Sequence, residues 1–153
     1  MGSLLERFGE DLVAVVLFGS YARGETIEGS DLDLFVVVKD LPDGIMERRF
    51  LVYDSLTLLR RELKVDISVF EAEPEEIDGA ITPLLLNIAH DGIVLYDREG
   101  AVSSFLRKVV EAAGKAELVR YRTTDGKYGW KPRRRLEMGE HLTVKLEAED
   151  SGL

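Results

Sequence analysis

The sequence alternates short β-branched apolar runs with stretches in which apolar residues recur at helical spacing. Four runs predict strands, at 12–18, 31–38, 64–70 and 93–96. The main helical stretches lie at 3–11, 45–63, 83–90 and 101–113. The first run is apolar throughout, which suits a strand covered on both faces. Strands that alternate with helices predict an α/β domain with a mixed sheet flanked by helices.

The composition changes after Gly114, where helical spacing gives way to short apolar and aromatic runs. These runs, at 118–122, 128–131 and 142–146, predict a short β-rich C-terminal extension with a turn at 124–126. A chain of 153 residues suits one domain with an appended segment. We therefore expect a domain over 1–114 and an extension over 115–153, packed on or beside it.

Charge and cysteine content exclude several function classes. The chain has 20 Lys and Arg against 29 Asp and Glu, a net charge of −9, which argues against general nucleic-acid binding because the field repels phosphate. It has no Cys, which removes disulfides, thiol nucleophiles and Cys-based zinc sites and favours the cytoplasm. No apolar run approaches the roughly 20 residues of a membrane helix, so we expect no membrane partner.

One basic and aromatic cluster, Trp130–Arg135 with Tyr121, Arg122 and Tyr128 nearby, stands out in the acidic chain. It could contact RNA by stacking and phosphate binding, dock an acidic partner, or balance the charge of the acidic domain. The remaining alternative is a solvated strand flank, which we favour because charge runs are usually solvated.

Two aspartates begin the second predicted strand. Side chains alternate faces along a strand, so Asp31 and Asp33 lie on one face. Two neighbouring carboxylates repel each other, and placing them at the start of an apolar strand is costly unless a cation lies between them. Oxygen ligands of this kind suit Mg²⁺ or Mn²⁺. The alternative is that one caps a turn and the other faces water, and the pair alone favours this alternative.

A third carboxylate, Asp66, lies within the third predicted strand. If that strand lies beside the second, three carboxylates converge on one face. Such a set can bridge two divalent cations about 3.5–4 Å apart, the geometry of phosphoryl and nucleotidyl transfer. The alternative is a salt bridge from Asp66 to Lys64 or to an arginine such as Arg60.

Gly19 and Ser20 follow the first strand and begin a helical turn that ends at Gly24. Gly19 allows the backbone to approach a ligand closely, and Ser20 can cap the turn. The exposed N–H groups there suit an anion such as a triphosphate. The alternative is an ordinary strand–turn–helix junction.

Taken together, Gly19–Glu25, Ser30–Leu34 and Val65–Ile67 resemble the DNA-polymerase-β-like nucleotidyltransferase superfamily. Within it the chain is most similar to the minimal nucleotidyltransferases (MNT), in which Gly-Ser precedes Asp-x-Asp and a third strand carboxylate. The resemblance covers about Leu12 to Asp97. It implies a polymerase-β-like nucleotidyltransferase fold.

The resemblance also implies an activity, the Mg²⁺-dependent transfer of a nucleoside monophosphate to an acceptor hydroxyl with release of pyrophosphate. The donor is expected to be ATP or another nucleoside triphosphate. By this resemblance Asp31 and Asp33 bind two metal ions, Asp66 binds the ion at the attacking hydroxyl, and Gly19 and Ser20 hold the β- and γ-phosphates.

Arg23 has two interpretations. Its guanidinium would suit triphosphate binding. Alternatively, it pairs with Glu25 or another carboxylate and so orients the loop.

The resemblance further implies a partner, because MNT proteins are often paired with helical HEPN proteins as toxin and antitoxin. In such a pair the MNT antitoxin transfers AMP to a toxin tyrosine, which is an inference by analogy. The alternative function is a non-catalytic module that neutralises a helical partner by occlusion or senses nucleotide.

Overall fold

The computed structural model describes residues 1–77, 79 and 81–146, and a mixed four-stranded sheet forms its centre. The strands are β1 (Leu12–Phe18), β2 (Leu32–Val38), β3 (Ile67–Ala72) and β4 (Ile93–Asp97). Their order is β3-β2-β1-β4. Strand β2 is antiparallel to β1 and parallel to β3, and β4 is antiparallel to β1. The predicted mixed sheet is confirmed, and the second and third strands lie side by side, which is the condition under which the three carboxylates could converge.

Helices cover both faces of this sheet. In the described part of the chain they are α1 (Gly2–Phe8), α2 (Gly19–Arg23), α3 (Ile45–Ser55), α4 (Thr57–Leu63), α5 (Pro74–Ile77), α6 (Pro83–Asp91) and α7 (Ala101–Lys115). The single helix predicted over 45–63 is wrong, because Leu56 leaves helical geometry with φ −103° and ψ 0°. Leu56 is buried, so the chain bends where it packs into the core.

The core has two layers, one on each face of the sheet. Helices α1, α3 and α4 cover the first layer, whose members include Leu4, Leu34, Val36 and Val52. Helices α6 and α7 cover the second, whose members include Val16, Phe35, Ile88 and Phe105. Because residues alternate along β2, Asp33 lies on the same face as Phe35, near the start of the strand, and is half-buried.

A separate hairpin follows α7. Strands β5 (Leu118–Arg122) and β6 (Tyr128–Pro132) are antiparallel, and they confirm two of the predicted extension strands. The hairpin contacts α6, where the Trp130 indole N–H donates to Asn87 Oδ1 at 2.9 Å.

The strand predicted at 142–146 is wrong. The Val144 carbonyl accepts a backbone hydrogen bond from Ile81 N–H at 3.0 Å, so this segment pairs with the loop before α6 and not along a strand. The rest of the predicted extension, 147–153, lies outside the described residues. No helix within the described ranges has the length and apolar character needed to cross a bilayer.

Candidate active site

The backbone of Gly19 lies against the side chain of Asp33. The register of β1 and β2 places Phe18 opposite Asp33, so the chain passes this carboxylate as it turns into α2. Gly19 has φ +72°, and a Cβ built there would overlap Asp33 Oδ2 and lie 3.0 Å from its Cγ. The contact therefore requires glycine twice, for the backbone angle and for the space.

The environment of Asp33 is unfavourable to its charge. Burial raises the pKa of Asp33, and the nearby charge of Asp31 raises it further, while Arg23 opposes the shift. An ionised Asp33 is thus destabilised, and a cation beside the two carboxylates would remove that penalty.

Ser68 is a site residue that the sequence reasoning missed. Its hydroxyl donates to Asp31 Oδ2 at 3.1 Å, and its backbone lies opposite Asp33 in the β2–β3 register. The alternation that selected Asp66 could have found it, because residues 66 and 68 share a face of an extended chain. Ser68 is thus the β3 residue next to Asp33, and its hydroxyl orients the carboxylate of Asp31.

Asp66 was predicted to lie inside the third strand. This is wrong, because β3 begins at Ile67 and Asp66 lies immediately before it. Its backbone carbonyl accepts from Leu32 N–H at 2.8 Å, which aligns it with the start of β2. Its side chain accepts from Arg60 Nε at 3.1 Å and also from Arg60 Nη2. The exposed fractions of the two side chains are 60% for Arg60 and 67% for Asp66. This is the salt bridge named as the alternative.

Asp31 and Asp66 nevertheless line one open pocket of 300 Å³, together with Tyr21 and Lys64. Across residues 1–77, 79 and 81–146, no three His, Asp or Glu side chains lie close enough to hold a metal ion. The structure therefore brings together Gly19, Asp31 and Asp33, and leaves Asp66 next to them in its pair with Arg60.

The donor set fits a hard divalent cation. Asp31 and Asp33 offer carboxylate oxygens, the ligands that Mg²⁺ prefers. Asp66 lines the same pocket as Asp31, and an exposed pair such as its bond to Arg60 contributes only about 0–1 kcal/mol.

Ser20 is the second residue of α2, and the N-cap position belongs to Phe18. The expectation that Ser20 caps the turn is therefore wrong, because the helix begins at Gly19 and includes Ser20. The expected closure at Gly24 is confirmed, with φ +69° and a backbone N–H that bonds to the carbonyls of Ser20 and Tyr21.

Arg23 ends α2 and points to two carboxylates. Its Nε donates to Glu25 at 2.9 Å, and its Nη1 donates to Asp91 at 3.1 Å. Burial by itself lowers the pKa of Arg23, but the bonds to Glu25 and Asp91 raise it overall. Of the two interpretations of Arg23, the structure shows the second, in which the guanidinium pairs with Glu25 and another carboxylate.

Sequence comparison identifies relatives of this chain. A family model described as a nucleotidyltransferase domain matches residues 2–96. A Methanocaldococcus jannaschii protein that carries the name protein adenylyltransferase is 33% identical over 105 residues, which cover 68% of this chain and 71% of the relative. A second protein of that organism with the same designation is 38% identical over 60 residues, 39% of this chain and 57% of the relative.

Solved structures with a similar fold include two toxin–antitoxin proteins. One is the crystal structure of a toxin–antitoxin with AMP-PNP, at TM-score 0.50 and 22% identity, covering 73% of this chain and 82% of that one. The other is a substituted form of the toxin–antitoxin MntA–HpeT, at TM-score 0.50 and 20% identity, with the same coverage of both chains. At this identity the likeness is one of fold.

Proposed function

Because the chain belongs to the nucleotidyltransferase domain family, we propose that it transfers AMP from ATP to a hydroxyl group of a partner protein. The chain is a nucleotidyltransferase by that membership. The relatives named protein adenylyltransferase support a protein as the acceptor. The fold shared with a toxin–antitoxin crystallised with AMP-PNP supports an adenine nucleotide as the donor.

The observation that carries the proposal is the contact between Gly19 and Asp33, with Asp31 beside it. A bare backbone against paired carboxylates leaves room for a phosphate chain and for the cations that accompany it. A purely structural turn has no need to bring the charge-destabilised Asp33 so close to a glycine. The geometry therefore favours a nucleotide site at the junction of β1 and α2.

In the proposed mechanism Asp31 and Asp33 would hold Mg²⁺, and the Gly19–Ser20 segment would hold the β- and γ-phosphates. Bound Mg²⁺ would neutralise charge on the transferring phosphoryl group and on the leaving pyrophosphate. The acceptor oxygen bonds to the α-phosphorus while the bond from that phosphorus to the bridging oxygen breaks, and pyrophosphate leaves. Asp66, released from Arg60, accepts the hydroxyl proton.

We take the acceptor to be a tyrosine hydroxyl on a helical HEPN-type toxin, which makes this chain the antitoxin. The likeness to toxin–antitoxin structures supports that choice of partner.

The test is transfer of label from α-labelled ATP to a helical HEPN-type partner protein, in the presence of Mg²⁺. We expect the wild type to label the partner and the double variant Asp31→Asn, Asp33→Asn to leave it unlabelled while remaining folded. The matched control is Asp11→Asn, Asp43→Asn, which removes the same charge from exposed positions away from the site. The backbone of Asp11 bonds to Lys39, beyond the opposite end of β2, so this control should label normally. Labelling by the Asp31, Asp33 variant would overturn the site assignment.

A second candidate function is neutralisation of the partner by binding alone. The pairing of Asp66 with Arg60 favours it, because this pair holds the third carboxylate away from a catalytic set. It predicts that the Asp31, Asp33 double variant still neutralises the toxin fully. The proposed transfer predicts that neutralisation is lost with the label.

A further inference from the structure

A largely buried carboxylate, that of Asp91, joins the C-terminal hairpin to helix α2. It is the last residue of α6, and its side chain is 7% exposed. It accepts from Arg23 Nη1 at 3.1 Å and from Arg120 Nη1 at 2.7 Å, with a further bond from Arg120 Nη2. His90 Nδ1 lies 2.9 Å from Asp91 Oδ1. A largely buried carboxylate with two guanidinium partners holds the elements that supply them in fixed relation.

Tyr128, on β6, links the same elements a second time. Its ring centroid is 3.8 Å from the Arg120 guanidinium and 4.7 Å from that of Arg23. Its hydroxyl donates to Glu25 Oε1 at 2.9 Å, just after α2. Both arginines that bind Asp91 therefore also contact this ring, a cation–π arrangement that adds to the ion pairs.

Helix α2 depends on such contacts for its orientation. It has five residues, Gly19–Arg23, and a helix that short does not persist alone. Its last residue, Arg23, is held by Asp91, and its first, Gly19, lies against Asp33. Only three residues separate Arg23 from Gly19, so loss of the contacts at the Arg23 end also loosens the Gly19 end.

We propose that Asp91, Arg120 and Tyr128 are positioning residues that set α2, and through it the Gly19–Ser20 segment, for binding a nucleoside triphosphate. The identity of this ligand rests on the proposed function. Arg120 and Tyr128 lie beyond residues 2–96, the part matched by the family model. In this chain the nucleotide site is thus completed by the hairpin that follows the family domain.

The test uses the full chain and measures the Kd of AMP-PNP with Mg²⁺, the hydrogen exchange of the amides in 19–24, and the melting temperature. We expect Arg120→Ala to weaken AMP-PNP binding and to speed exchange in 19–24, each by about tenfold. Arg120→Lys keeps the charge and should restore part of both. Tyr128→Phe keeps the ring and loses only the bond to Glu25, so it should give a smaller change in both binding and exchange. This variant tests the proposal if Arg120→Ala does not fold.

The matched control is Arg134→Ala, which breaks another arginine–carboxylate pair after the hairpin, with Glu140. It should leave both readouts unchanged. The proposal is overturned if the folded Arg120 and Tyr128 variants bind and exchange like wild type. It is also overturned if exchange rises equally in β1 and α7, because that indicates general destabilisation. If wild type does not bind AMP-PNP, the proposed function fails, and exchange in 19–24 alone decides the positioning role.

Discussion

Substitution of Gly19 by alanine should affect both the stability of the fold and the transfer of label, and a control glycine distinguishes the two effects. The residue has φ +72°, and its missing Cβ would overlap Asp33 Oδ2. Alanine at such an angle costs about 1–2 kcal/mol, which lowers the melting temperature of a chain of this length by about 2–8 °C. The substitution therefore destabilises the protein for two independent reasons.

The second reason falls on Asp33. Its Cγ lies 3.0 Å from the position of the new Cβ and must retreat to at least 3.4 Å, where ordinary contact begins. Oδ2, which overlaps the Cβ, must move further. A displacement of about 1 Å in a catalytic group can lower the rate about 100-fold. We expect a loss of that order in the transfer of label from ATP.

Gly100 provides the matched control. It also has φ +72°, but a Cβ there meets no atom within 4 Å. Gly100→Ala should lower the melting temperature by the backbone cost alone and should keep normal transfer. The assay is label transfer to the partner at a temperature where both variants are folded, together with thermal unfolding. Equal transfer by the two variants would refute the reasoning that Gly19 and Asp33 form one site.

Three further outcomes are expected. Asp33→Asn should raise the melting temperature of the metal-free protein at pH 7 by about 1–3 °C. The raised pKa of Asp33 means that its ionisation penalises the folded state above the unfolded pKa. The increase in melting temperature should therefore shrink as pH falls through the raised pKa of Asp33. In the presence of Mg²⁺ the substitution should lower the melting temperature instead. An increase at pH 4 as large as that at pH 7 would contradict this reasoning. Arg60→Ala should tighten Mg²⁺ binding in calorimetry because Asp66 is released, and weaker binding would show that Arg60 helps the site. The bond from Arg134 and, to a smaller extent, the bond from the Glu137 backbone N–H lower the pKa of Glu140 to about 2, so their stabilisation of the fold is complete above the ordinary pKa and is lost as pH falls through about 2. An NMR titration of Arg134→Ala should find the pKa of Glu140 raised towards its ordinary value, because the larger contribution is removed and the Glu137 bond remains.

Local pattern accounts for much of the fold. The apolar runs became β1 to β4 because alternation and β-branching act over a few neighbouring residues. The turn from Gly19 to Gly24 followed from glycine positions for the same reason. The Asp-x-Asp spacing placed Asp31 and Asp33 together without knowledge of any other element.

Long-range docking decided the rest. Arg60 was one of several candidate partners for Asp66, and the end of α4 selected it. Arg23 binds Asp91, which is 68 positions away in the sequence. Arg120 binds it from 29 positions away, because the hairpin packs at the end of α6. Leu56 broke a continuous helical pattern to reach the core. A residue's spacing specifies its face on a strand or helix, but its partner depends on which other faces pack there, and that is a property of the assembled chain.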